Sequence, residues 1–126
     1  MERLSFGADV AFTPRQEELV GVTVAPLSRS IFLGSSFQAA IFRLEPGGRI
    51  VRHPAGYPQI LAVLEGSGEV SGADGVEQAI SAGEAVFWAA GEEHETKTAS
   101  GLTALIIEGE GLEPYGGPVS GDALSR

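Results

Sequence analysis

The chain has 126 residues, 43% of them hydrophobic and 20% charged, which fits a single globular domain around one buried core. Its 17 acidic residues against 8 basic ones leave a net charge of −9, a balance that repels nucleic acid and anionic membrane surfaces. It contains no cysteine, so disulfides, thiolate metal sites and cysteine nucleophiles are excluded.

The opening residues, MERLSFGADV, lack the apolar run of about 7–15 residues behind a basic start that marks a secretory signal. No apolar run reaches the ~18 residues of a membrane helix, and the expectation is a soluble cytoplasmic protein. TPRQEELVGVTVAP could open with a short turn, with Thr13 as cap and Pro14 in the first helical position. Its second half, LVGVTVAP, reads as an edge strand ended by Pro26. SSFQAAIFRL is a strand closed by the turn EPGG, RIVRH is a short strand, and PAGYP is a loop held by two prolines. QILAVLEG is almost continuously apolar, as expected of a strand buried on both faces. SGEVSG and VEQAIS flank ADG, whose Asp-Gly pair signals a hairpin. EAVFWAA, the loop GEE, HETKTAS and LTALIIEGEG complete the series, and residues 113–126 read as a Gly/Pro/Ser-rich extension to a domain spanning 1–112. Short strands at even spacing, punctuated by glycine, predict an all-β sandwich or a closed or jelly-roll barrel.

Two stretches carry a more specific signal. The first places Gly47, His53, Ala55, Gln59 and Gly66, and the second places Gly83, Ala89, Gly91, His94 and Thr98. In these spacings the chain resembles the cupin superfamily, whose paired motifs read G-x5-H-x-H-x3-4-E-x6-G and G-x5-P-x-G-x2-H-x3-N. The resemblance implies a cupin jelly-roll β-barrel (a double-stranded β-helix) with its motif core at 47–98. It also implies a metal site in which His53, His94 and Gln59 are the surviving ligand positions. Ala55 stands where the family has a second histidine, and Gln59 stands where it has a glutamate. Two imidazoles and one neutral amide favour Fe, Ni, Cu, Mn or Zn over Mg²⁺ or Ca²⁺. The alternative is a metal-free pocket in which the same three residues hydrogen-bond a ligand or one another.

Strand alternation extends the candidate pocket. If His53 and His94 point inward, Val51 and Thr96 share their faces, and the same parity adds Leu61, Val63, Val86 and Trp88, with Phe42 and Leu44 on the preceding strand. Trp88 and Phe42 have the competing role of filling the barrel core. Arg49 shares parity with His53 and could hold a carboxylate or phosphate at the mouth; pairing with the excess surface glutamates is the other account of it. Tyr57 could reach the mouth from its loop. Glu92, Glu93 and Glu95 read as a solvated run, and GEE is assigned no role.

The chain has no G-x-S-x-G elbow, P-loop or dinucleotide fingerprint. The cupin resemblance implies three functional readings. One is a dioxygenase-like, isomerase or decarboxylase enzyme using a divalent metal on a small organic substrate. Another is a binding or sensing module for a small organic ligand. The third, metal-free acid–base catalysis, needs a carboxylate beside a histidine, and the motifs place none in the barrel. ILAVL and TALIIE are apolar on both faces, which with the resemblance points to a homodimer whose N-terminal residues add a strand to the partner sheet.

Overall fold

The computed structural model describes residues 1–32 and 35–115, so most of the expected C-terminal extension lies outside the described residues. Seven strands follow in order: β1 (Leu19–Phe32), β2 (Ser35–Pro54), β3 (Gln59–Ser71), β4 (Gln78–Ser81), β5 (Ala85–Trp88), β6 (Glu93–Lys97) and β7 (Leu102–Gly109). The described residues contain no helix, so Thr13 and Pro14 do not begin one, and none is long and apolar enough to cross a membrane.

The long strands close the barrel. The first half of β2 (Phe37–Leu44) pairs with β7, and its second half (Arg49–Pro54) pairs with β6. β3 likewise pairs with β7 through Gln59–Gly66 and with β6 through Glu69–Ser71. The circuit β2–β6–β3–β7–β2 therefore returns on itself, while β1, β4 and β5 extend it outward. The fold is the all-β barrel that the motif spacing implies.

Two expected breaks are absent. EPGG and RIVRH belong to one 20-residue β2, and β1 runs through Pro26 to Phe32. A register shift between Pro26 and Ser28 lets the strand pass a residue that has no N–H to donate to its partner. The ADG hairpin does form: Gly75 N–H donates to Gly72 O at 3.0 Å, with Gly75 at φ 73°. Gly66 has φ 80°, and a Cβ there would drive into the Gly101 carbonyl oxygen, so β3 and β7 approach at a point only glycine permits.

The core runs along the inside of the circuit. On β7 the buried residues alternate as Leu102, Ala104 and Ile106. They meet Leu61 and Val63 of β3, Val24 and Leu44 from β1 and β2, and Trp88 of β5 in one apolar cluster. The same two-residue period carries the inner face of β7 on to Glu108.

Candidate functional site

Strands β2 and β6 set His53 directly opposite His94. The ring centroids are 4.4 Å apart with the planes tilted by 52°, and the Trp88 ring lies 4.4 Å from His94 on another side. His94 is 1% exposed, whereas His53 is half-buried and reaches the cavity described below.

The tautomers follow from the partners. His53 Nδ1 lies 2.8 Å from Val51 O, and His94 Nδ1 lies 3.0 Å from Glu92 O. A carbonyl oxygen only accepts, so each Nδ1 carries a proton, and in the neutral imidazole each Nε2 presents a lone pair. His94 Nε2 is buried and has no partner among the described residues. Burial pushes the His94 pKa below the ordinary histidine value of 6.5. The Glu92 carbonyl bond opposes that shift, His53 adds to it, and the Glu92 and Glu108 carboxylates oppose it.

Gln59 is buried at the head of β3, opposite Glu108 of β7; Gln38 of β2 faces Glu108 from the other side. Gln59 Nε2 donates to Glu108 Oε2 at 3.1 Å, and Gln38 Nε2 donates to Glu108 Oε1. A carboxylate is thus clamped between two amides at the mouth of the barrel, one buried and one exposed. Sequence reasoning placed no carboxylate there because Glu108 lies beyond both motifs. The signal was available in LTALIIEG, where period-two alternation puts Glu108 on the face of Leu102, Ala104 and Ile106.

A cavity of about 590 Å³ opens at this end of the barrel. Phe42, Ile50 and Ile106 form apolar wall, and His53, Gln59 and Glu108 supply polar groups. The N-terminal segment completes the enclosure through Phe12, Pro14 and Glu18. Phe12 bridges Val24 of the same chain, exchanging backbone bonds of 3.0 and 2.8 Å. That segment therefore packs against β1 of its own barrel.

Of the sequence-derived pocket residues, Phe42 joins His53 and Gln59 on the cavity wall. Leu61, Val63, Trp88 and Thr96 are buried core beside it and do not line it. Tyr57 is exposed and off the wall. Arg49 points outward and pairs with Glu95 at 3.0 Å. The cause is a β-bulge: between Ile50 and His53, β2 has one residue more than β6, so Ile50 faces inward with His53 and simple parity from His53 to Arg49 is reversed. Glu92 is no bystander either. Its carboxylate accepts from Ala89 N at 3.0 Å and Ala73 N at 3.1 Å, and its carbonyl accepts from Ala55 N at 3.0 Å. Gly91 N donates to Ala55 O at 2.7 Å, so the Ala55 backbone ties the two motifs together.

Residues 40–110 match the cupin domain family. No curated protein matches the chain. Among solved structures, the chain is similar to an RmlC-like cupin from Shewanella frigidimarina, at 21% identity and TM-score 0.69 over 90% of this chain and 95% of that one. It is also similar to the polyketide cyclase RemF from Streptomyces resistomycificus, at 24% identity and TM-score 0.71 over 98% and 89%. A cupin-2 domain from Rhodospirillum rubrum aligns at 15% identity and TM-score 0.66 over 99% and 85%. The family match spans more than half of the sequence and contains His53, Gln59, His94 and Glu108, and the chain belongs to the cupin domain family.

Proposed function

We propose that the barrel cavity binds a small organic molecule, with a divalent transition metal at its polar end. The cavity volume of about 590 Å³ lies in the range of small-molecule sites, and its apolar wall suits a largely apolar ligand body. The observation that carries the metal is the buried Nε2 of His94, a lone pair without a partner among the described residues. Metal-bound histidines commonly anchor the other ring nitrogen on a carbonyl, as both imidazoles do here. His53 and His94 would hold the ion through Nε2, and Gln59 would offer its amide oxygen, since its nitrogen is engaged by Glu108. When bound, such an ion supplies Lewis-acid polarisation of a ligand oxygen. The chain's own residues orient the ligand: Phe42, Ile50 and Ile106 exclude water, and Glu108 fixes the Gln59 amide. A polyketide cyclase shares the fold at 24% identity, and a shared fold assigns no reaction.

A second reading, in which the ligand is held by hydrogen bonds alone, is favoured by the neutrality of the Gln59 arm and the engagement of Glu108 by two amides. Metal content of protein purified without chelator, followed by titration with Ni²⁺, Cu²⁺, Zn²⁺ and Fe²⁺, separates the two. Trp88, the single tryptophan, lies beside His94 and reports occupancy. Quenching of its emission by Cu²⁺ or Ni²⁺, reversed by chelator and lost in both His53→Ala and His94→Ala, is the result expected of a metal site. Metal-free protein with no response to any of the four ions would leave the hydrogen-bonded pocket.

A further inference from the structure

The polar end of the cavity has a one-sided hydrogen-bonding character. His53 donates from Nδ1 to Val51 O, so it presents only the Nε2 lone pair to a ligand. Gln59 spends one N–H on Glu108, leaving its carbonyl oxygen and a single spare N–H. Glu108 accepts one bond on each oxygen and keeps a lone pair on each. Acceptors therefore outnumber donors, and the only full charge among these three is negative. The other donors on the wall, Arg29, Gln16, Ser28 and the second N–H of Gln38, belong to exposed residues, and Glu18 adds a second carboxylate.

We propose that Glu108 makes the cavity selective for apolar molecules bearing hydroxyl or N–H donors, and that it rejects molecules whose polar end is a carboxylate. This rests on the cavity being the ligand site. A hydroxyl entering beside Glu108 finds a charged acceptor with a free lone pair, whereas an entering carboxylate meets like charge, with only the spare N–H groups of Gln59 and Gln38 to receive it. Glu108 is a specificity-determining residue on this account, and the amides of Gln38 and Gln59 position its carboxylate.

The test uses three probes on one frame, naphthalene, naphthol and naphthoate, measured by calorimetry against the full chain at neutral pH. Wild-type protein is expected to bind naphthol about tenfold more tightly than naphthalene, the size of one hydrogen bond to a charged group, and naphthoate more weakly than naphthalene. Glu108→Gln replaces a charged acceptor by an amide that also donates. It should erase the naphthol advantage over naphthalene and raise naphthoate affinity relative to naphthalene. Naphthoate binding as tightly as naphthol in wild type, or an unchanged ratio in Glu108→Gln, overturns the proposal while leaving the cavity as the ligand site. Failure of all three probes to bind, naphthalene included, removes the cavity reading and this inference with it. The wild-type series decides the matter alone should Glu108→Gln fail to fold.

Discussion

The two motif-bearing sides of the barrel and the flanking segments that wall its cavity are built to different ends. Around His94 the interior is filled by side chains: Trp88, Leu61, His94 and Thr96 are its largest fully buried ones. Around His53 the barrel opens, and the enclosure comes from β1, the end of β7 and the N-terminal segment. One histidine of the pair belongs to each region. The motifs thus supply the floor together with the wall residues Ile50, His53 and Gln59, and residues outside them close the space above it.

The sharpest way to test that division is to cut one side chain from each region. Leu61→Ala in the floor should cost about 2–5 kcal/mol in denaturant unfolding, because the packed site cannot collapse around the lost atoms. Phe42→Ala on the wall removes a larger side chain, yet should cost only about 1–2 kcal/mol, since Phe42 is half-buried and already faces a cavity. Equal costs would mean that the cavity is closed in solution and that floor and wall are one core.

A second substitution probes the seam where the regions meet. Gln59→Glu restores the residue type of the family motif, and from the motif alone it should strengthen a metal site. In this barrel it removes the N–H that Glu108 Oε2 accepts at 3.1 Å and sets two carboxylates face to face. One of the pair must then take up a proton. The expected outcome without metal is a loss of about 1–3 kcal/mol in stability at neutral pH, partly recovered on acidification. Unchanged stability would mean that the Gln59–Glu108 bond does not hold in solution.

The contrast between floor and wall also explains what the sequence could convey. Glycine turns and apolar alternation, which act locally, conveyed an all-β fold, and the cupin resemblance carried by Gly47–Gly66 and Gly83–Thr98 implied the barrel. The same resemblance made His53 and His94 partners, and β6 alternates without interruption through His94 and Thr96. Arg49 was misplaced because parity was counted across a bulge that only pairing with β6 reveals. Leu61, Val63, Trp88 and Thr96 were assigned to a pocket because inward-facing and cavity-lining are the same statement at the level of alternation. Whether an inward residue meets another side chain or empty space depends on how β1 and residues 12–18 lie over the opening. Glu108 was legible in principle from β7 alone, but as a carboxylate in an acidic chain it had no local mark to separate it from surface charge. Glu92 was missed for the same reason.

Acid provides a milder test of the floor. His94 is neutral and buried in the native chain, with its pKa pushed below 6.5 mainly by burial, so the unfolded chain binds the proton more readily. The stability this contributes is complete above 6.5 and is lost as pH falls from 6.5 toward the lowered native value. Metal-free protein should therefore lose stability through that window, and the difference between wild type and His94→Gln should isolate it from other titrating groups. A difference that grows with rising pH above neutrality, or no difference at all, would contradict the buried neutral imidazole.

The smallest expected effect belongs to Arg49. Its ion pair with Glu95 spans β2 and β6 on the outside of the barrel, with side chains 48% and 23% exposed, so solvent screens most of the attraction. Exposed pairs of this kind contribute about 0–1 kcal/mol, and Arg49→Ala should fall in that range in low salt and nearer zero in high salt. It should also leave binding of carboxylate-bearing probes unchanged. Arg29, by contrast, is the arginine on the cavity wall, and Arg29→Ala should weaken whatever anion binding the mouth retains. If Arg49→Ala rather than Arg29→Ala altered carboxylate binding, the bulge between Ile50 and His53 would have to be absent in solution. The inward set of β2 would then shift by one residue, exchanging Ile50 for Arg49 on the cavity wall.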